Sequence, residues 1–117
     1  MVLLGQKTDR PWEYGILELE GDTAKNLVEK PKQGKEPSNI RVMGIYLLPP
    51  NFLDYYKRVP EHMYAYEDAL RLFMQENKVP VMKVEKDTPS LKYPWELIEA
   101  TKIMLSKIKE QRIGRKN

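Results

Sequence analysis

The sequence predicts an α/β protein with a mixed β-sheet and helices packed on it. Three observations support this fold class. Runs in which apolar and polar residues alternate, as they do in half-buried strands, occur in the first half of the chain. Runs with apolar residues at helical spacing occur in the second half. The predicted order is three strands, a fourth strand after a polar loop, two helices, a fifth strand and a last helix.

The first three strands are predicted close to the beginning of the chain. Val2–Leu4 is a short apolar run that predicts a strand, which we place at an edge of the sheet. Lys7–Trp12 is a turn-rich link. Tyr14–Glu20 alternates apolar and polar residues and predicts a half-buried strand. Gly21–Asp22 indicates a hairpin turn, and Thr23–Glu29 is the returning strand.

The fourth strand is predicted over Ile40–Leu48, the most apolar run in the chain, and we place it at the centre of the sheet. Pro31 lacks a backbone donor and ends the strand before the polar loop. A glycine inside a strand gives up packing, so Gly44 indicates either a bulge or the close approach of a ligand.

Two helices follow. A helix is predicted over Asn51–Arg58, because the preceding Pro50 suits a helix start. Its predicted inner side carries Phe52, Leu53 and Tyr56. Tyr66–Asn77 predicts a second helix, since its apolar residues recur at helical spacing. These residues are Leu70, Phe73 and Met74.

The last part of the chain predicts a strand, a loop and the longest helix. The strand is Val79–Val84, and Pro80 indicates that it enters from an edge. After the loop Asp87–Lys92, a helix is predicted from Pro94 to about Ile113. Its apolar face comprises Leu97, Ile98, Thr101, Met104, Leu105 and Ile108. Gly114 is the predicted C′ residue, and the cations suited to this helix end are Arg112, Arg115 and Lys116.

The totals predict one globular domain over residues 1–117. Apolar residues make up 41% and charged residues 32%, which argues against disorder. The absence of cysteine and the many lysines and glutamates favour a cytoplasmic, thermophilic origin. No membrane span is expected. The net charge of +3 suits an anionic ligand, but charges of both signs are interspersed, which does not indicate nucleic acid.

Some candidate polar residues have ordinary structural explanations. His62 is the one histidine, and we expect an exposed loop residue without a partner, which argues against histidine catalysis. Asp68 suits the positive end of a helix dipole. Four tyrosines are expected to pack on helices and not to stack on bases, namely Tyr55, Tyr56, Tyr64 and Tyr66. Without further information, Glu29–Lys30 is a solvated strand end.

Several motifs in order resemble the sugar-phosphate-binding half of sugar nucleotidylyltransferases, in particular glucose-1-phosphate thymidylyltransferases. Tyr14–Gly15–Ile16 resembles the Y-G-V segment of that family, and Glu29–Lys30–Pro31 resembles its E-K-P. Ser38–Asn39 and Val42–Tyr46 resemble S-N-x-x-V-T-G-L-Y. Further similar segments are Tyr66–Leu70, against I-T-D-A-I, and Tyr93–Ala100, against T-P-W-D-L-L-E-A.

The resemblance implies a fold equivalent to the C-terminal half of a Rossmann-like nucleotidyltransferase domain. It also implies a sugar 1-phosphate as ligand. In such a site the backbone of Gly15 lies against the sugar, Glu29 accepts hydrogen bonds from sugar hydroxyls, and Lys30 meets the phosphate. The implied substrate-binding residues are Tyr14, Gly15, Glu29, Lys30, Val42, Gly44 and Tyr46.

The departures from the family pattern concern catalysis. The sequence contains no G-x-G-x-R-x-x-P-L-T loop for a triphosphate and no G-D-N segment for a metal. Where the family has W-x-D, this chain has Thr88 and Ser90, and a neutral hydroxyl is a poor Mg²⁺ ligand. Ala65 replaces a further acidic residue. We therefore expect no catalytic residue, no metal ligand and no cofactor in this chain.

Three functions remain open at this point. The first is one half of an enzyme, which works with a partner chain carrying the nucleotide-binding half. The second is a non-catalytic sugar-phosphate-binding or regulatory module. The third is a structural, self-associating remnant. We expect an exposed apolar surface around Ile40–Leu48 or Val2–Leu4, and through it a dimer or larger assembly, either a homo-oligomer or a complex with a partner chain carrying the nucleotide-binding half.

Overall fold

The computed structural model describes residues 1–86 and 88–108. The chain divides into two compact units, Met1–Glu85 and Lys86–Asn117. The first unit contains a five-stranded sheet and two α-helices, and the described part of the second contains a third helix. The single domain expected over residues 1–117 stays a prediction.

The elements follow the predicted order. The strands are β1 (Val2–Lys7), β2 (Gly15–Glu20), β3 (Thr23–Glu29), β4 (Ile40–Leu47) and β5 (Val79–Lys83). The helices are α1 (Phe52–Tyr56), α2 (Ala65–Glu76) and α3 (Glu96–Ser106), and a single 3₁₀ turn covers Pro11–Glu13. No helix among residues 1–86 and 88–108 is long and apolar enough to cross a membrane.

The sheet is mixed, as predicted, and its strand pairings close into a ring in the order β1-β4-β2-β3-β5. β5 pairs with β1 in parallel, and the other pairs are antiparallel. The edge positions expected for β1 and β5 were therefore wrong. Pro80 is tolerated inside the ring because the neighbouring Val81 amide supplies the hydrogen bond, donating to the Asp22 carbonyl at 2.8 Å.

The core lies between the sheet and the first two helices. Leu70, Phe73 and Met74 of α2 are buried, which confirms the predicted inner face of that helix. They pack with buried strand residues, among them Leu3, Leu17, Leu27, Val79 and Val81. The Arg71 side chain also fixes α2 to the sheet, because its Nε donates to the Leu27 carbonyl at 2.7 Å.

The predicted inner side of α1 was wrong in two of three residues. Phe52 is 3% exposed, whereas Leu53 and Tyr56 are 64% and 41% exposed. The helix spans only one and a half turns, so its second inward position is three residues after Phe52, at Tyr55. The Tyr55 ring lies 4.8 Å from that of Phe73. Of the four tyrosines expected to pack, Tyr55 and Tyr66 do, and Tyr56 and Tyr64 are exposed.

β4 lies between β1 and β2, but it is not the most buried strand. Ile45 is 53% and Leu47 is 66% exposed, so its second half presents apolar side chains to solvent. Gly44 has φ +71° and lies where the register with β1 shifts, between the pairs Leu3–Tyr46 and Gly5–Val42. This confirms the bulge alternative for the glycine.

α3 is shorter than predicted and begins two residues later. Pro94 and Trp95 form the preceding turn, and the carboxylate of Glu96 accepts the Tyr93 amide at 3.0 Å. The helix ends at Ser106, well before Ile113. Ala100 is its one buried residue, and the residues predicted as its apolar face are largely exposed. The predicted helix end, with Gly114, Arg112, Arg115 and Lys116, lies outside the described residues.

Candidate functional site

The Tyr14–Gly15 and Glu29–Lys30 segments lie side by side. Gly15 pairs with Glu29 across β2 and β3, and the Lys30 amide donates to the Tyr14 carbonyl at 3.0 Å. The hairpin connecting the two strands is responsible for this arrangement, since it returns the chain antiparallel with Gly15 opposite Glu29. The two motifs that sequence analysis singled out therefore form one junction at the end of the hairpin.

Gly15 is buried at the point where three side chains converge. A Cβ atom on this residue would lie 2.8 Å from Oε2 of Glu29 and 3.2 Å from Cγ1 of Val42. It would also lie 3.2 Å from Cδ1 of Leu27. The absence of a side chain at Gly15 therefore allows the Glu29 carboxylate and Val42 to approach its backbone.

Lys30 adopts a backbone conformation that non-glycine residues rarely take. Its φ is +43°, the one positive φ of a non-glycine residue in the described ranges. A side chain in the left-handed region costs roughly 1 kcal/mol. The surrounding structure holds it there, through the hydrogen bond of its amide to Tyr14 and the burial of Pro31 after it. Strain of this kind is concentrated at functional sites.

Tyr46 lies half-buried on β4 beside the first turn of α2. Its ring contacts that of Tyr66 edge-on, with the centroids 5.5 Å apart. Burial raises the pKa of Tyr46 to about 12, with further contributions from Tyr66, Glu67 and Glu29. The hydroxyl is therefore protonated at neutral pH and can both donate and accept hydrogen bonds.

The Tyr14 side chain does not join this group. The guanidinium of Arg41 lies 4.5 Å from the centre of the Tyr14 ring, and its Nε donates to Oε1 of Gln6 at 3.2 Å. Neighbouring residues of a strand face opposite sides, so the Arg41 side chain points away from that of Val42. Tyr14 thus contributes its carbonyl to the junction, and its ring packs on the other face of the sheet. Gly44 forms the bulge of β4, and a Cβ atom on this residue would have no other atom within 4 Å.

Sequence analysis missed a partner for His62. This residue is exposed, as expected, but its Nε2 lies 2.7 Å from Oδ2 of Asp68. Asp68 also accepts a hydrogen bond from Arg71 at 2.6 Å. The turn before α2 brings His62 back onto the first helical turn, where Asp68 was correctly placed. Tyr66, which was expected only to pack, contacts Tyr46, and it lies in the segment that resembles I-T-D-A-I.

The described residues do not fit the Mg²⁺ site that the family resemblance implies. In residues 1–86 and 88–108, no three His, Cys, Asp or Glu side chains form a group that could hold a metal ion. Ser90 stands where the family pattern has aspartate, and Mg²⁺ is ordinarily bound through carboxylates and phosphates. We therefore assign no chemical step to a metal held by these residues.

An open surface pocket away from the hairpin junction contains none of the seven predicted site residues. It lies between the β2–β3 hairpin and the end of α2 and is lined by Glu20, Thr23, Lys25, Met74, Gln75, Glu76, Asn77 and Lys78. No motif falls among these residues, so the hairpin junction is the stronger candidate site.

Comparison with known families identifies the family to which the chain belongs. The family model described as nucleotidyl transferase matches residues 1–98, so the chain belongs to the nucleotidyl transferase family. A bifunctional protein GlmU from Methanococcus maripaludis is 32% identical over 106 residues, which cover 87% of this chain and 26% of that protein. A UTP–glucose-1-phosphate uridylyltransferase from Staphylococcus haemolyticus is 53% identical over 47 residues, or 36% of this chain and 16% of that protein.

Solved structures of nucleotidyltransferase enzymes share the fold. An apo UDP-glucose pyrophosphorylase superposes with a TM-score of 0.77 at 22% identity, covering 91% of this chain and 42% of that one. A UTP-bound UGPase from Acinetobacter baumannii gives a TM-score of 0.75 at 23% identity, covering 92% and 41%. The chain thus spans about a quarter or less of the two curated relatives and under half of these structures.

Proposed function

We propose that this chain forms the sugar-phosphate-binding part of a sugar nucleotidylyltransferase of the glucose-1-phosphate thymidylyltransferase type. The observation that carries the proposal is the junction of Gly15, Glu29 and Lys30. A buried glycine backbone, the Glu29 carboxylate that approaches it and a lysine in a strained conformation come together at one end of the hairpin. Membership of the nucleotidyl transferase family supports this assignment.

Each residue of the junction has a role that follows from its chemistry. Glu29 accepts hydrogen bonds from sugar hydroxyls, because an ionised carboxylate only accepts. Lys30 offers a point charge and three donors to the phosphate. Val42 contacts the apolar face of the ring, and Tyr46 supplies a protonated hydroxyl. Gly44 sets the direction of Tyr46 through the bulge.

We further propose that this chain does not transfer a nucleotidyl group by itself. In the transfer, an oxygen of the sugar phosphate attacks the α-phosphorus of a nucleoside triphosphate and pyrophosphate leaves. Negative charge accumulates on the phosphoryl oxygens and must be neutralised. Lys30 is the cation that the junction offers for this purpose. A nucleotide-binding part on another chain would supply the rest.

The test is an assay of the purified 117-residue chain with glucose 1-phosphate, dTTP and Mg²⁺. We expect saturable binding of glucose 1-phosphate by calorimetry and no release of pyrophosphate. A complete thymidylyltransferase in parallel shows that the assay detects turnover. Pyrophosphate formation by the chain alone would refute the claim of inactivity, and the absence of any heat at millimolar ligand would refute the binding function.

The exposed half of β4 favours a second candidate function, that of a self-associating protein. Ile45, Leu47 and Leu48 are 53%, 66% and 42% exposed and lie close together in the sequence. Groups of exposed large apolar side chains are typical of interaction sites. The partner that we propose is a second copy or a chain carrying the nucleotide-binding part.

We expect light scattering at micromolar concentration to give at least a dimer, and Leu47→Lys to give a monomer. Leu91→Lys is the matched control, because Leu91 is equally exposed, at 67%, but lies outside β4. A monomeric wild-type chain, or a dimer unaffected by Leu47→Lys, would exclude association through this surface.

A further inference from the structure

The hairpin points two carbonyl groups outward at the pair formed by Leu17 and Leu27. The Lys30 amide donates to the Tyr14 carbonyl, so Tyr14 and Lys30 form a hydrogen-bonded pair of the antiparallel ladder. Hydrogen-bonded and non-hydrogen-bonded pairs alternate along such a ladder, which makes the pair of Leu17 and Leu27, the third one further along, non-hydrogen-bonded. The two carbonyls therefore face away from the hairpin and need other partners.

The outward groups of Leu27 are bound by side chains and not by a neighbouring strand. β5 pairs with β3 at Thr23 and Ala24 and does not extend as far as Leu27. Nε of Arg71 donates to the Leu27 carbonyl at 2.7 Å, and Oδ1 of Asn26 accepts the Leu27 amide at 2.9 Å. Leu27 is 2% exposed, so its carbonyl is largely shielded from water and the loss of its Arg71 partner would be costly.

The opposite edge of the hairpin is held by Ser38, the serine of the S-N motif before β4. Its hydroxyl donates to the Leu17 carbonyl and accepts the Ile40 amide at 3.1 Å. β4 pairs with β2 through Arg41 and Ile16, so the Ser38 side chain extends this contact by one further residue of β2. Ser38 therefore fixes the β2 side of the hairpin at this level.

The β3 side depends on Arg71, whose guanidinium is fixed between α2 and the strand. While Nε binds the Leu27 carbonyl, Nη1 donates to Oδ1 of Asp68, one helical turn earlier, at 2.6 Å. The other oxygen of Asp68 lies 2.7 Å from Nε2 of His62, so this carboxylate is itself held in place. α2 is anchored in the core by buried residues such as Leu70, and Arg71 thus connects β3 to a fixed base.

The anchored carbonyl lies just before the candidate site, since Glu29 and Lys30 follow Leu27 by two and three residues. Lys30 has a φ of +43°, and a strained backbone conformation persists only where the surrounding structure over-determines it. The hydrogen bond from the Lys30 amide to Tyr14 requires that β3 stays aligned with β2. Displacement of β3 at Leu27 would therefore release both the conformation of Lys30 and the approach of the Glu29 carboxylate to Gly15.

We infer that Arg71, oriented by Asp68, is a positioning residue of the hairpin junction, which keeps Lys30 in its left-handed conformation and Glu29 in place. Arg71 acts through the Leu27 carbonyl and not by touching a ligand. The inference rests on the proposed function for what the junction binds, but the positioning itself can be measured without a ligand.

The test follows the conformation of Lys30 by NMR in the isotope-labelled 117-residue chain. The amide proton and Hα of a residue are closest at positive φ, so their nuclear Overhauser effect (NOE) is strong for Lys30 in the wild-type chain. We expect this strong NOE to be lost in Arg71→Ala, while the dispersion of the other signals shows that the chain is folded. Guanidinium chloride far below its denaturing concentration should restore the NOE, because the ion can occupy the place of the missing side chain.

Arg58→Ala is the matched control. Arg58 binds Glu76 at the opposite end of α2 through hydrogen bonds of 2.9 and 2.6 Å, so its loss removes an arginine–carboxylate pair of the same helix and leaves the link to Leu27 intact. We expect the Lys30 NOE to stay strong in this variant. A strong NOE that persists in Arg71→Ala would overturn the inference.

Asp68→Asn gives the same comparison should Arg71→Ala fail to fold. It keeps the size of the side chain and removes the charge that orients Arg71, so we expect a weaker Lys30 NOE. An NOE of unchanged strength in this variant would overturn the inference as well.

Calorimetric titration with glucose 1-phosphate connects the conformation of Lys30 to the proposed function. We expect Arg71→Ala to bind about 2- to 10-fold more weakly, since Lys30 keeps its charge but must be ordered on binding. Binding by the wild-type chain together with an unchanged Lys30 NOE in Arg71→Ala would refute the inference and leave the proposed function standing. Loss of the NOE in Arg71→Ala, in a protein whose wild-type chain binds no glucose 1-phosphate, would do the reverse.

Discussion

Replacement of Lys30 by alanine should weaken binding of glucose 1-phosphate by about 10- to 100-fold. A hydrogen bond to a charged group contributes about 1.5–3 kcal/mol, and no other predicted site residue carries a positive charge. Calorimetric titration of the wild-type and variant chains measures the loss directly. Binding of equal strength in both would show that the phosphate lies elsewhere.

The backbone of Lys30 allows a sharper version of the same experiment. Glycine adopts a φ of +43° without strain, whereas alanine does not. Lys30→Gly should therefore be more stable than Lys30→Ala by roughly 0.5–1 kcal/mol, while both lose binding to the same extent. Urea denaturation gives the two free energies of unfolding. Restored binding in Lys30→Gly would mean that the conformation matters and the ammonium group does not.

Replacement of Phe52 by alanine should cost about 3–5 kcal/mol of unfolding free energy. Phe52 is 3% exposed and contacts the rings of Tyr66 and Phe73, at 5.8 and 6.1 Å. It is the single buried residue of α1, so its removal leaves a cavity and releases the short helix. The same change removes the support of Tyr66. Chemical denaturation measures the effect, and a loss below about 1 kcal/mol would contradict the packing described.

Leu53→Ala is the matched control for this prediction. Leu53 follows Phe52 on the same helix but is 64% exposed, so we expect a change within about 0.5 kcal/mol. Sequence analysis placed both residues on the inner side of α1. A large loss in Leu53→Ala would support that placement, or indicate that a second chain covers the residue.

The sequence predicted the secondary-structure elements well, but it did not predict which of their apolar residues are buried by other parts of the protein. The limits of β3 and the inner face of α2 were predictable, because alternation, a Gly-Asp turn and helical spacing are local signals. The closure of the sheet depends on the pairing of β1 with β5, which are far apart in the chain, and no local signal reports it. Likewise, the apolar run of β4 shows which residues are apolar, but not whether other residues cover them.

Some features of the candidate site were likewise predictable from the sequence, and others were not. The motifs indicated that Gly15 and Glu29 meet, and the hairpin brings them together. The left-handed conformation of Lys30 and the place of the Tyr14 ring beside Arg41 could not be predicted, because both depend on contacts between distant segments. The contact of the Tyr66 ring with Tyr46, 5.5 Å between centroids, likewise joins residues that are distant in the chain.

The pairing of β1 also has a consequence for the time course of folding. This strand is synthesised before its two neighbours, β4 and β5, which follow about 40 and 80 residues later. The β2–β3 hairpin can form early from local contacts, whereas β1 must wait for both distant strands. A sheet closed by such long-range contacts folds slowly for its size, in milliseconds to seconds. During that interval the first strand has neither of its neighbours, and the nascent chain is most exposed to misassociation.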